Sequence, residues 1–187
     1  QVYNKPDNRV TIVSTDRDFL QLVDDRVSVW SPVKKKMYTP DLMRDEFGID
    51  AKNYLLYRAI TGDKSDNIPG VNGVGLKTMI KRIPIITEYT ELSVDRLVEY
   101  VSDLEKKYKV HEILEQSGDQ IKLNYDLMQL KDVDISGDAK MRIMHIAQDE
   151  ITKMDVLAFK KMFMVDKMYT VIKDLDTWLT SAFNPLN

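Results

Sequence analysis

The 187-residue sequence contains no cysteine. Disulfide staples and thiolate metal sites are therefore excluded, and an intracellular location is the simplest expectation. The two histidines, His111 and His145, lie too far apart to form a zinc motif, and each sits in a helical pattern as a surface or packing residue. No apolar run approaches the ~20 residues needed to cross a bilayer, and no signal-peptide pattern opens the chain, so a soluble protein is expected. An excess of positive charge is missing as well: 27 Lys and Arg against 30 Asp and Glu leave a net charge of −3. Any nucleic-acid binding must come from a local basic patch. Internal repeats and low-complexity linkers are absent. Position 1 is Gln in place of methionine and an apolar run begins as early as Val10, which suggests entry into the middle of a longer fold.

What is present is a hydrophobic content of 43%, enough for one core with a small appendage. Val10 to Ser14 is β-branched and apolar throughout, the pattern of a strand buried on both faces of a mostly parallel sheet. The acidic turn Thr15-Asp16-Arg17-Asp18 follows, then Phe19, Leu20, Leu22 and Val23 at helical spacing. Val27 to Ser31 alternates like a second strand, and Pro32 to Lys36 reads as a polar turn before Met37 and Tyr38. Its three lysines suit a solvated hairpin tip or a phosphate contact.

Helices dominate after residue 39. Thr39-Pro40-Asp41 starts one that Gly48 stops, a second is expected over Lys52 to Thr61, and a third over Leu76 to Ile83, closed by Pro84. Val94 to Gln116 carries a single stripe of Leu97, Val98, Val101, Leu104 and Tyr108. Met141 to Met164 and Met168 to Phe183 also read as helical; Trp30 and Trp178 are expected in the core, with the methionines filling packing gaps.

Two acid pairs carry the chemical interest. Asp16 and Asp18 lie just beyond the carboxyl end of the first strand, where α/β sheets build ligand sites. Asp63 and Asp66, three apart, face the same way if their segment makes a helical turn. Each pair alone is compatible with turn formation or helix capping. Together they favour a divalent metal, because carboxylates are hard oxygen ligands and like charges drawn together need a cation. Gly70-Val71-Asn72-Gly73-Val74-Gly75 then supplies a tight turn into a helix beginning at Leu76, with Val71 and Val74 as core anchors. Unpaired amides at such a helix start, with Lys77, Lys81 and Arg82 nearby, suit a phosphate. A plain helix-to-helix connection is the competing reading.

The runs Ser14 to Val23 and Gly62 to Thr78 closely resemble the 5′ nuclease superfamily, most strongly its bacteriophage and bacterial DNA polymerase I branch. The likeness spans residues 10 to 130, with Asn124 to Leu130 similar to a segment that returns toward the sheet. It implies an α/β fold: part of a PIN-like, mostly parallel sheet in 1–38, a helix-three-turn-helix region in 39–133 and a helical extension in 134–187. It also implies a metal-dependent 5′–3′ exonuclease or flap endonuclease of DNA replication and repair, working in the bacterial cytoplasm or a phage host's. Asp16, Asp18, Asp63 and Asp66 would be the catalytic metal ligands of a two-ion Mg2+ or Mn2+ site. Gly70, Asn72, Gly73, Val74, Gly75, Lys77, Thr78, Lys81 and Arg82 would grip DNA, with K+ at the turn. The implied partners are a duplex with a 5′ flap, end or nick, an RNA primer, replication proteins, and an N-terminal nuclease half.

The sequence departs from the family in lacking the further acids and the helical arch of that N-terminal half. Weak or no cleavage by this chain alone is therefore expected. Two other classes compete: a non-catalytic duplex DNA-binding module, which has no reason to keep four carboxylates beside a phosphate site, and a small ribonuclease, which has no need of the glycine turn.

Overall fold

The computed structural model describes residues 7–88, 90–132, 134–149 and 154–183. Two compact units divide the chain, Gln1–Ile135 and Ser136–Asn187. The first begins with a three-stranded sheet. Strand β1 (Val10–Val13) pairs in parallel with β2 (Val27–Ser31), Val10 opposite Val27 and Val13 opposite Trp30. Strand β3 (Lys36–Tyr38) returns antiparallel on β2 through a polar tip where Lys35 takes a positive φ of 52°. The sheet is thus mixed, and only its β1–β2 pair is parallel among the described residues. The expectation that β1 is buried on both faces is overturned. Its burial alternates and Val13 is 67% exposed, because β1 is an end strand of the sheet with one face covered.

Between β1 and β2 runs a 3-10 turn, Arg17–Leu22, that buries Leu20 and Gln21. Helix α1 (Pro40–Phe47) starts where the Thr39 hydroxyl accepts from the Leu42 amide, and it stops where Gly48 adopts a left-handed φ of 69°. A 3-10 turn, Ala51–Asn53, leads into α2 (Tyr54–Thr61), and α3 covers Leu76–Arg82. The single amphipathic stripe expected over Val94–Gln116 is in fact two helices, α4 (Val94–Ser102) and α5 (Lys109–Gln116). The break follows from capping: the Tyr108 amide donates to His111 Nδ1 at 3.3 Å, which starts a new helix after the polar run Glu105-Lys106-Lys107. Helix α6 (Gly118–Met128) closes this unit against α2.

The first unit's core joins sheet and helices through Val29, Tyr38, Met43, Tyr54, Ile60, Met79, Leu97 and Ile121, all essentially buried. Phe47 sits edge-on to Tyr54 at 5.2 Å and Tyr54 to Tyr57 at 5.6 Å, so α1 and α2 meet through aromatic rings. Asn53 is buried with its hydrogen-bonding groups occupied: its side-chain NH2 is shared among the carbonyls of Ile86, Glu88 and Thr90, and its side-chain oxygen accepts from the Leu92 amide.

The second unit holds α7 (Gly137–Gln148), α8 (Val156–Val165) and α9 (Leu175–Phe183), with Ser136 and Asp155 capping the first two. The reading of Met141–Met164 as helical holds in two pieces, since α7 ends at Gln148 and α8 begins at Val156; 150–153 lie outside the described residues. Phe163 and Leu179 are its buried apolar side chains among the described residues. Trp178, expected in the core, is 36% exposed and stacks on Phe159 at 6.1 Å; Trp30 in β2 is half-buried. His145 is exposed and His111 is buried, a packing residue. Among the described residues no helix is long and apolar enough to cross a membrane.

Candidate metal and nucleic-acid site

Helix α2 ends at Gly62, and the chain turns back on itself. Asp63 and Ile68 exchange backbone hydrogen bonds of 2.9 and 2.8 Å, and Asn67 takes a φ of 58° to close the loop. A bridged turn therefore stands where a helical turn was expected, because Gly62 and Gly70 let the two ends of the loop cross. A Cβ on Gly62 would lie 2.4 Å from the Ile68 carbonyl oxygen, and one on Gly70 would lie 2.0 Å from that of Thr61. Gly70, expected at the DNA, is thus the neck of the acid-bearing loop.

This loop brings Asp63 and Asp66 to Asp18, which stands in the first turn after β1. One carboxylate oxygen of each lies within 4.8 Å of the others. Asp16 is not part of this group; its exposed carboxylate accepts from the Asp18 amide at 2.9 Å and caps the 3-10 turn. Three of the four expected acids converge, and the fourth fixes the backbone that carries one of them.

Two buried amides hold the halves of this cluster in register through α6. Gln21, three residues after Asp18, donates to the Met128 carbonyl and accepts from the Leu130 amide, both at 2.9 Å. Asn124 donates to the carbonyls of Ala59 and Pro69, both at 2.8 Å, on either side of the loop. The segment Asn124 to Leu130 thus ties the turn after β1 to the loop after α2.

A guanidinium sits inside the cluster. Arg58 of α2 donates from Nη2 to Asp18 at 2.9 Å and from the same nitrogen to Asp63. The two acids respond differently. Burial lifts the Asp18 carboxyl above its ordinary range despite the opposing pull of Arg58. Hydrogen bonds from the Ser65 hydroxyl and then from Arg58 hold Asp63 at about 2. Sequence reasoning gave no role to Arg58, Ser65 or Gln21, and took Asn124 only as the start of a segment returning toward the sheet. The signal for Arg58 was a lone cation in the otherwise apolar run YLLYRAIT, which needs a charged partner when half-buried.

The glycine turn is anchored as expected. Val71 and Val74 are buried, and the Val71 amide donates to the Ile60 carbonyl at 2.7 Å. Val74, expected at the DNA, therefore offers only its backbone. Asn72, Gly73, Gly75, Lys77 and Lys81 are exposed, Thr78 is half-buried, and Gly73 takes a φ of 78°. Arg82 faces elsewhere: its guanidinium lies 3.7 Å from the centre of the Tyr108 ring. His111 Nε2 is 2.8 Å from the Arg82 carbonyl. With Nδ1 accepting from Tyr108, Nε2 is the donor, and α5 caps the end of α3.

A small mixed sheet feeding a helical unit, with carboxylates converging from the turn after β1 and the loop after α2, and an exposed glycine turn and lysine-bearing helix following that loop, defines an α/β protein with a candidate cation centre. The chain matches the family described as 5′-3′ exonuclease, C-terminal SAM fold, over residues 49–150, and it belongs to that family. It is similar to the 5′-3′ exonuclease of Bacillus subtilis, 43% identical over 101 residues, 52% of this chain and 32% of the relative. It is also similar to DNA polymerase I of Rhizobium leguminosarum, 34% identical over 123 residues, 65% of this chain and 11% of the relative. Among solved structures it resembles the bacteriophage T5 flap endonuclease in complex with DNA and metal ions. There the TM-score is 0.52 and the identity 26%, over 65% of this chain and 43% of that one. The chain spans about a third of the exonuclease and a smaller share of the polymerase it matches.

Proposed function

We propose that this chain is the C-terminal portion of a metal-dependent 5′–3′ exonuclease or flap endonuclease that hydrolyses DNA phosphodiesters in replication and repair. The observation that carries the reading is the convergence of Asp18, from the turn after β1, with Asp63 and Asp66, from the loop after α2. Three carboxylates of this spacing fit a hard divalent ion such as Mg2+ or Mn2+, and Asp16 supports them by fixing the Asp18 backbone. When bound, such ions activate a water and stabilise the oxygens of a phosphodiester under attack. The residues of this chain do the rest. Asn124 and Gln21 hold the acids in register. Lys77 and Lys81, with the exposed backbone of Asn72, Gly73 and Gly75, bind duplex phosphates next to the acids without reading sequence, and K+ is the ion proposed at that turn. Cleavage requires the remainder of the nuclease, supplied in cis or in trans. The proposed substrates are duplexes with a 5′ flap, end or nick, and RNA primers.

A second reading, a DNA-binding module without chemistry, draws on Arg58, which already pairs two of the three acids as a structural ion cluster would. An end-labelled 5′-flap DNA separates the two. In magnesium or manganese, with the rest of the nuclease present, Asp63→Ala is expected to abolish cleavage while leaving duplex binding in calcium intact or improved. Cleavage unchanged by that substitution overturns the metal assignment. No cleavage under any condition, with salt-sensitive duplex binding retained, establishes the binding module instead.

A further inference from the structure

Resting on the metal reading above, we propose that Arg58 is a resident counter-cation of the carboxylate site. It holds Asp18 and Asp63 together when no divalent ion is bound, and it yields its position when one binds.

Charge balance is the first argument. Three carboxylates whose oxygens lie within 4.8 Å of one another repel strongly in a partly buried setting. One guanidinium beside them offsets part of that repulsion and leaves two uncompensated negative charges, the charge of one divalent ion. Asp66 is exposed and has no ion-pair partner among the described residues, so an arriving ion meets one unengaged carboxylate and two held by Arg58.

Geometry is the second argument. An arginine built as a permanent structural bridge presents its planar fork, with two nitrogens to one carboxylate. Arg58 does not. Both of its acid contacts leave from Nη2, while its Nε is buried with no hydrogen-bond partner among the described residues. A buried orphan donor is costly, so the guanidinium is held here by the charge of the cluster and not by satisfaction of its own donors. A side chain held that way is displaced when a denser positive charge takes the same oxygens. Its stem rises from α2, close to the loop, so withdrawal needs a rotamer change and no movement of the backbone that places Asp63.

The test compares wild type, Arg58→Met and Arg58→Met/Asp63→Asn as the whole chain, with Mn2+ as the probe. In chelator, Arg58→Met is expected to melt below wild type, and adding Asp63→Asn is expected to restore part of the loss by removing the repulsion. Calorimetric titration is expected to show Mn2+ binding Arg58→Met tighter than wild type by about tenfold, the scale of one charge-assisted contact removed as competitor. Should Arg58→Met not fold in chelator, Arg58→Lys is titrated instead; its single ammonium competes less well, and affinity above wild type is again expected. Equal Mn2+ affinity in wild type and variant overturns the role of Arg58 and leaves the metal site standing. Absence of Mn2+ binding to every protein overturns the metal reading, and this proposal with it.

Discussion

The two compact units contain similar residues and use them differently. In Gln1–Ile135 the apolar side chains of sheet and helices share one core, and the polar groups caught inside it, Asn53, Asn124 and Gln21, are all hydrogen-bonded. In Ser136–Asn187 the helices are as apolar, yet Leu157 is 79% exposed and Val171, Ile146 and Val165 are close behind. A high share of hydrophobic residues is therefore not enough to make a core. What distinguishes the first unit is periodicity: α4 puts Val94, Leu97 and Val101 on one face, whereas α8 carries apolar residues all round and α7 buries none of its side chains among the described residues.

The contrast can be broken at its strongest point. Leu97→Ala is expected to cost the first unit about 3 kcal/mol, since it removes a fully buried side chain from a filled core, while Leu157→Ala costs the second less than about 0.5 kcal/mol. Denaturant unfolding followed by circular dichroism measures both, and equal effects would erase the distinction. A smaller and more local effect is expected of Phe163→Ala. Loss of the ring that stacks on Phe159 should remove amide protection from α8 and α9, leaving α2, α4 and α6 unchanged in hydrogen exchange. Protection lost throughout would make the units one cooperative body.

The smallest effect is electrostatic and belongs to the first unit. A hydrogen bond from Lys36, with further help from Lys34 and Tyr38, lowers the Glu46 carboxyl below its ordinary range. A depressed carboxylate contributes stability above its unfolded pKa and loses it as pH falls through the folded value. Wild type should therefore lose more stability than Glu46→Gln on acidification below about pH 4.5, by a few tenths of a kcal/mol in view of the pair's partial exposure. Thermal melts across that range, with parallel curves as the contrary outcome, decide it.

Much of the site was legible because it is local. Asp63 and Asp66 announce themselves beside the glycines that shape their loop, and Thr39-Pro40 with Gly48 marks both ends of α1. The family resemblance carried by Ser14 to Val23 and Gly62 to Thr78 supplied the fold class as well. What sequence concealed is what depends on distant partners. Nothing in the order of residues says that Asn124 reaches Ala59 and Pro69, or that Gln21 reaches Met128. The both-sides-buried reading of β1 failed for a similar reason, since an apolar run does not reveal whether its second face is covered. One long stripe likewise hid the break between α4 and α5, where a histidine cap overrides continuous periodicity.

The crossing of Gly62 and Gly70 also determines how this segment can change over generations. Neither crossing point has room for a methyl group, so both positions are closed to every other amino acid unless the backbone shifts. Between them, Lys64 is exposed and open to wide variation, Ser65 is held to residues that keep its hydroxyl bond to Asp63, and the positive φ at Asn67 favours asparagine, aspartate or glycine. Insertions are the least tolerable change of all, because one added residue would uncouple the Asp63–Ile68 bridge and turn the carboxylates away from each other. A randomised library of this stretch should therefore return variants rich in substitutions and almost free of length changes.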